Sequence, residues 1–337
     1  MFCEHCYREA GAKADEELST AEGKRLLEQI ARAGFKIMIF SGGEPLMRED
    51  IIELVKHAHT LGLRPVFGTN GTLISPEMAL RLKEAGTMGV GISLDSMDAV
   101  KHDRLRKYAG AWSEAVRGMQ NCREAGLPFQ IHTTAMEWNE EEIEAITDFA
   151  VEMGAVAHHI FFLVPTGRAI EIEEEALRVE KYEQLLQRIL TKQQQVEIEL
   201  KPTCAPQFVR MAQQRGMNLR FQRGCLAGTS YCIISPRGLV QPCAYLNLPV
   251  GNVREQPFDV IWKTSSVLQE MRTQNYGGKC KDCRYIKACG GCRARAAYYH
   301  DGDYMAEDQW CRYPGGKLEP STVLKDNGSN GSNGNDG

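Results

Sequence analysis

The sequence predicts an α/β chain: a partial (β/α)6 TIM-type barrel followed by a cysteine-rich C-terminal region. Three observations carry this. Short apolar runs alternate with helical stretches of about ten to fifteen residues, the pattern of βα units around a parallel sheet. Polar and glycine-rich residues gather just after the runs, where the strands of such a barrel bind ligands. Eight of the twelve cysteines fall between Cys225 and Cys311, where the alternation has stopped.

In chain order, Met1–Arg8 opens with Cys3 and Cys6. Residues 9–33 turn from polar to helical, with Ser19-Thr20-Ala21-Glu22 as a capping box and Leu26, Leu27 and Ile30 at helical spacing. Lys36–Ser41 is an apolar run suited to a buried parallel strand. Gly42-Gly43-Glu44-Pro45 follows, then a helix over Glu49–Leu61. Further strands are predicted at Arg64–Thr69, Gly89–Leu94, Phe129–Thr134 and Ala157–Val164. The helices between and after them are Pro76–Ala85, Trp112–Ala125, Glu140–Met153 and Val179–Gln194, three of them closed by Gly86, Gly126 and Gly154. That makes five strands. A sixth would precede the opening loop, upstream of Met1, so the barrel is expected to lack its first strand and to hold Cys3 and Cys6 near its open edge.

From about residue 198 cysteine, glycine and proline punctuate short strands, Tyr231–Ser235 and Leu239–Pro242, with one helix over Phe258–Met271. The division expected is residues 1–197 for the partial barrel, 198–313 for the cysteine-rich domain and 314–337 for a tail. The tail ends in the low-complexity run Asp326–Gly337 and is expected to be disordered.

Hydrophobic residues at 43% and charged residues at 25% suit a soluble globular chain. A net charge of -4 argues against sequence-independent nucleic-acid binding, which needs a basic surface. No apolar run is long enough for a membrane span and no signal peptide opens the chain, so a cytoplasmic location is expected. In a reducing compartment clustered cysteines read as metal or redox ligands rather than disulfides.

The chemistry-bearing residues fall into two groups. At the predicted strand ends stand Ser41–Pro45, Asn70 with Thr69 and Gly71, Ser93–Asp95, Thr133-Thr134 and Pro165–Arg168. Gly42-Gly43 lets backbone approach a ligand closely, and Glu44 offers an acceptor for an ammonium group. The second group is Cys225, Cys232 and Cys243, then Cys280-x2-Cys283-x5-Cys289-x2-Cys292 and Cys311. Two CxxC pairs suit tetrahedral zinc, but eight cysteines exceed one zinc site. Cys122 and Cys204 stand alone: Cys122 reads as core, Cys204 as a packing residue with a substrate-facing role as the alternative, and one ring of His158-His159 is expected to point inward.

Cys3-Glu4-His5-Cys6-Tyr7 followed by Gly42-Gly43-Glu44-Pro45 resembles the radical S-adenosylmethionine (SAM) superfamily. The resemblance implies a 4Fe-4S cluster that binds SAM, with Cys3 and Cys6 as two ligands of a CxxxCxxC loop whose first cysteine would lie upstream of Met1. It implies that Gly42, Gly43, Glu44 and Pro45 form the turn that meets the methionine amino group. It places Asn70, Ser93, Asp95 and Thr134 among the SAM contacts and residues 164–168 near the adenine. The late cysteines resemble the SPASM extension. They imply one or two auxiliary 4Fe-4S clusters, one held by Cys225, Cys232, Cys243 and Cys292, the other by Cys280, Cys283, Cys289 and Cys311. Phe162–Arg168, Arg223–Gly228, Gln241–Cys243, Gly251–Arg254 and Cys289–Ala294 are similar to the radical SAM enzymes of alternative haem and d-type haem synthesis. A tetrapyrrole substrate follows, with Arg168, Arg223 and Arg254 as candidates for its carboxylates and a flavodoxin- or ferredoxin-type electron donor. The reaction implied first is oxidative decarboxylation of Fe-coproporphyrin III propionates to vinyls. Didecarboxysiroheme deacetylation, d-type haem modification, peptide maturation and a non-catalytic iron–sulfur or zinc protein stand as alternatives.

Overall fold

A computed structural model describes residues 1–8, 10–11 and 15–314. Six parallel strands hydrogen-bond in chain order into one curled sheet: β1 (Ile37–Phe40), β2 (Arg64–Thr69), β3 (Gly89–Ser93), β4 (Phe129–Ala135), β5 (Ala157–Phe162) and β6 (Glu199–Thr203). Five of these are the predicted strands. One more, β6, follows the long helix, where no strand is predicted, and it lies past the boundary expected at residue 197. Glu-Leu-Lys-Pro-Thr carries little apolar signal, with only Leu200 fully buried. Pro202 has no N–H to donate, which an edge strand tolerates.

Helices α1 (Thr20–Arg32), α2 (Ile51–Thr60), α3 (Pro76–Glu84), α4 (Ala99–Arg106), α5 (Ala111–Ala125), α6 (Ile143–Met153) and α7 (Val179–Gln193) accompany the sheet. The Ser19–Glu22 capping box of α1 is present as expected. One face of the sheet is its core: Phe40, Phe67, Val90, Ile131, Ile160 and Leu200 are buried. His158 belongs to this face. Its ring lies between Thr147 of α6 and Thr133 of β4 at 2.9 Å each. The alternate residues line the inner, concave face. Registers bring Ser93, His132, His159 and Lys201 into one row, with Thr134, Phe161 and Thr203 in the row beyond. Gly91 keeps this face open: a Cβ there would sit 2.1 Å from the His132 ring.

Beyond the sheet, α8 (Gln207–Gln214) leads to a small antiparallel sheet of β7 (Ile233–Ile234), β8 (Leu239–Gln241) and β9 (Gly251–Asn252). The single helix expected over Phe258–Met271 is two, α9 (Phe258–Thr264) and α10 (Ser266–Thr273). Ser265 breaks the run with extended backbone and caps the second helix at Leu268. The short α11 (Ile286–Cys289) and α12 (Arg293–Tyr299) close the region. Cys122 is fully buried in the core, as read. The tail predicted from residue 314, with its low-complexity run, lies outside the described residues apart from Pro314.

Candidate active site

The opening loop crosses the carboxyl ends of the strands; it does not hang at the sheet's edge as expected. Arg168, after β5, donates its backbone N–H to the Cys6 carbonyl at 3.1 Å and its Nε to the Cys3 carbonyl at 2.9 Å. Glu4 N–H bonds the Leu105 carbonyl at the end of α4. Gly167 lies under the loop at φ +59°, where a Cβ would stand 2.7 Å from the Cys6 carbonyl oxygen. A side chain at 167 would therefore lift both cysteines.

Below the loop Arg106 bridges Cys3 and Asp95. It binds the Asp95 Oδ2 through Nε at 2.8 Å and Nη2 at 2.6 Å, and it also reaches the Cys3 side chain. Asp95 Oδ1 accepts the Thr134 N–H at 2.9 Å. Burial alone would push Asp95 up, but Arg106 and the surrounding donors hold it down at about 2. The carboxylate expected to touch SAM is thus committed to the protein. Glu44 departs in the same way. Its oxygens accept from Thr69 Oγ1 at 2.6 Å, Asn70 N at 2.9 Å and Leu46 N at 3.2 Å. Its pKa is raised by burial despite those bonds. Pro45 starts one turn of 3₁₀ helix beneath it. Asn70 caps its own turn, accepting from Thr72, and Ser93 Oγ reaches the Thr69 carbonyl. The strand-end residues therefore do converge on one face. Their side chains mainly hold one another, which leaves backbone groups to meet a ligand.

Room and unspent polarity exist there. No atom lies within 4 Å of a Cβ built on Gly42, whose φ is +140°. The Gly42 and Gly43 carbonyls make no hydrogen bond among the described residues. Arg168 Nη2 and His5 Nδ1 are buried without a partner among the described residues. These features fit a cluster with a bound amino acid moiety at Cys3, Cys6 and Gly42–Gly43.

Sequence reading missed the inner-face row. His132 and His159 stack at 5.3 Å and 6°, with Phe161 against His132. Burial holds His132 down at about 4 and His159 well below its usual value. Lys201 adjoins both rings. The alternation along β4 and β5 carried the signal. Of the predicted arginines, Arg254 is a correction: it pairs with Glu22 at 2.8 Å, at the start of α1, rather than facing the strand ends. Arg168 spends its Nε on the loop backbone, and Arg223 is exposed.

The late cysteines divide. Cys280, Cys283, Cys289 and Cys311 line one small pocket, with Lys279 and Asp308. These are the four expected to share a cluster. In the other set Cys225, Cys243 and Cys292 are mutual neighbours. Cys232 is not with them. Burial raises it to about 12, with only Arg272 acting on it, and it packs against the sheet's apolar core. Cys204 stands in that company instead. The neighbouring Cys292 thiol, together with burial, pushes Cys204 well above the usual thiol range. Asp308 sits between the two sets. It accepts Cys292 N–H at 2.8 Å, Gln207 Nε2 at 2.6 Å and both arms of buried Arg295. Among the described residues no group of three or more His, Cys, Asp or Glu side chains closes on a single-ion site.

The chain is similar to known proteins over most of its length. Residues 1–150 match the Radical SAM superfamily, and residues 225–292 match SPASM, an iron–sulfur cluster-binding domain. The chain is 43% identical to the AdoMet-dependent heme synthase of Nitratidesulfovibrio vulgaris, over 95% of this chain and 91% of that protein. It is 32% identical to the Fe-coproporphyrin III synthase of Methanosarcina barkeri, over 92% and 84%. Its fold is similar to that of Streptococcus suis SuiB, bound to the precursor peptide SuiA, with a TM-score of 0.74 at 18% identity, over 92% of this chain and 73% of that one. The chain belongs to the radical SAM superfamily of enzymes, in the SPASM-bearing branch that includes AdoMet-dependent heme synthase.

Proposed function

We propose that this enzyme removes propionate carboxyls from Fe-coproporphyrin III, leaving vinyls, as a step of haem biosynthesis. The observation that supports this reading is graded likeness: 43% identity to the heme synthase against 32% to the Fe-coproporphyrin III synthase. A reduced 4Fe-4S cluster with SAM supplies a carbon radical that takes one hydrogen atom from the substrate. Loss of carbon dioxide from the neighbouring carbon then forms the double bond and releases one electron, so each vinyl needs a one-electron acceptor.

The chain's own residues have distinct parts. Cys3 and Cys6 are thiolate ligands on a loop fixed by Arg106, Arg168 and Gly167. The carbonyls of Gly42 and Gly43 take the SAM ammonium, and Glu44 and Asp95 act as positioning residues. Ser93, Asn70 and Thr134 border the same space. Lys201 offers a cation for a carboxylate, and Phe161, His132 and His159 offer flat surfaces for a macrocycle. The late thiols hold the acceptor, within the wide tuning range of such clusters. An external flavodoxin- or ferredoxin-type donor reduces the first cluster.

The test uses the chain carried upstream to a complete CxxxCxxC, reconstituted with iron and sulfide and reduced. With SAM and Fe-coproporphyrin III it should yield 5'-deoxyadenosine and a product with two propionates converted to vinyls. If 5'-deoxyadenosine accumulates only with didecarboxysiroheme, or the porphyrin mass never changes, this substrate assignment is wrong.

A further inference from the structure

We infer that the auxiliary cluster nearer the sheet is held by Cys204, Cys225, Cys243 and Cys292, with Cys204 taking the place that chain order gives to Cys232. The inference rests on the iron–sulfur reading of the late cysteines. Cys204 is the residue immediately after β6. It is one of few non-glycine residues with left-handed backbone, at φ +60°. Such a conformation persists only where the surroundings impose it. The surroundings here are specific. Arg295 Nη1 grips the Cys204 carbonyl at 2.9 Å, and the other atoms of that guanidinium grip Asp308, which holds the Cys292 N–H. Arg295 and Asp308 are fully buried, so the two cysteine backbones are locked to one another. Cys204, Cys243 and Cys292 share one apolar cluster. Cys225 closes the group from the Cys289 side, its N–H bonded to the Cys289 carbonyl at 2.9 Å.

Cys232 sits elsewhere. Like Ile234 and Trp262, it packs against the larger apolar cluster, which joins the core of the large sheet to Val240, Phe258 and Ile261. Only Arg272 is a charged neighbour, and that guanidinium is held by the Gly228 and Trp262 carbonyls and lies over the Trp262 ring. A thiol in that setting is a small apolar side chain, the usual lot of a buried free cysteine. The consequence is mechanical as well as chemical. One ligand comes from the carboxyl end of the sheet's last strand, so this cluster is anchored to the wall of the inner face. It would sit beside the space where an electron is released.

The experiment compares the reconstituted full chain with Cys204→Ala, Cys204→Ser, Cys232→Ala and Cys289→Ala. Iron, acid-labile sulfide and low-temperature EPR are the readouts. Cys232→Ala should keep the wild-type iron content and spectrum. Cys204→Ala should lose one cluster's complement of iron. Cys204→Ser, which keeps the shape of the site and offers an oxygen ligand, should shift one EPR component even where the alanine variant fails to fold. Cys289→Ala should lose a different component. Wild-type iron and spectra in both Cys204 variants, with loss in Cys232→Ala, would overturn the assignment. Wild-type protein that takes up no iron beyond that of a chain lacking all eight late cysteines would overturn the iron–sulfur reading itself, and the wild-type sample alone reveals that outcome.

Discussion

The two cysteine-bearing regions are built on opposite plans. The opening loop carries half-exposed thiols on irregular backbone, yet a six-stranded sheet with a large apolar core lies beneath it. Arg106, Arg168 and Gly167 shape the loop, and none of them needs the loop in order to fold. The late region has short elements and a small apolar cluster, Val164, Leu246, Met271, Cys292, Ala294 and Ala297. In place of a broad core it buries charge: Arg293 and Arg295 are wholly inaccessible, with Asp308 as the matching carboxylate. Arg293 lies over the Tyr276 ring at 3.9 Å and donates to the Tyr304 and Ala306 carbonyls. The difference teaches where metal couples to folding. On that contrast a first cluster should ride on a stable support, whereas a late region whose thiols hold a cluster should need it to keep its shape.

Removing metal should expose that difference most strongly. Anaerobic chelation, or Cys289→Ala, should raise amide exchange across residues 225–311 and leave the six-strand sheet protected. Cys6→Ala should abolish 5'-deoxyadenosine formation with the melting temperature unchanged. Equal deprotection of both regions would break the comparison. Gly167→Ala comes next. Its Cβ would collide with the Cys6 carbonyl, and displacing a reacting centre by about 1 Å can cost on the order of 10²-fold in rate. SAM cleavage should fall by that order while urea unfolding barely moves; an unchanged rate would mean that the loop is not held from below.

Asp308→Ala leaves Arg295 buried without its carboxylate, and Arg106→Ala does the same to Asp95. Breaking a buried pair by removing one partner costs about 3–5 kcal/mol. The first variant should loosen the late region alone and the second the sheet, as denaturant titration with exchange readout will distinguish. Acid should give the smallest and most graded contrast. Burial holds His132 at about 4 and His158 at about 3 in the folded sheet. The unfolded chain binds those protons from about 6.5 downward. Stability is therefore full above that pH and falls as pH drops toward 4, by about 1.4 kcal/mol per unit for each imidazole. Asp308 is shifted in the same direction, over a lower pH range. Burial opposes its charge, but Arg295 holds it down at about 2, so its contribution is lost only as pH falls from about 4 toward 2. The sheet should weaken first, and His158→Gln should lessen its slope between pH 6.5 and 4.

Much of this was legible from the residues in order. Periodicity located five parallel strands and the helices between them, because alternation and helical spacing are local consequences of burying one face. The Gly-Gly-Glu-Pro turn and the polar residues after each apolar run located the ligand-binding end. The resemblance to the SPASM extension implied Cys280, Cys283, Cys289 and Cys311 as one set, and the fold lines one pocket with those four. What only the tertiary structure decided depends on long-range company. Leu200 alone could not announce β6; pairing with β5 makes Glu199–Thr203 a strand. Glu44 and Asp95 looked like ligand contacts until Thr69, Asn70 and Arg106 were seen to occupy them. Cys204 and Cys232 are equally plain thiols in the chain. Their difference comes from which surface each segment packs on, the thiol cluster at the end of β6 or the apolar core of the sheet, and spacing carries no information about that.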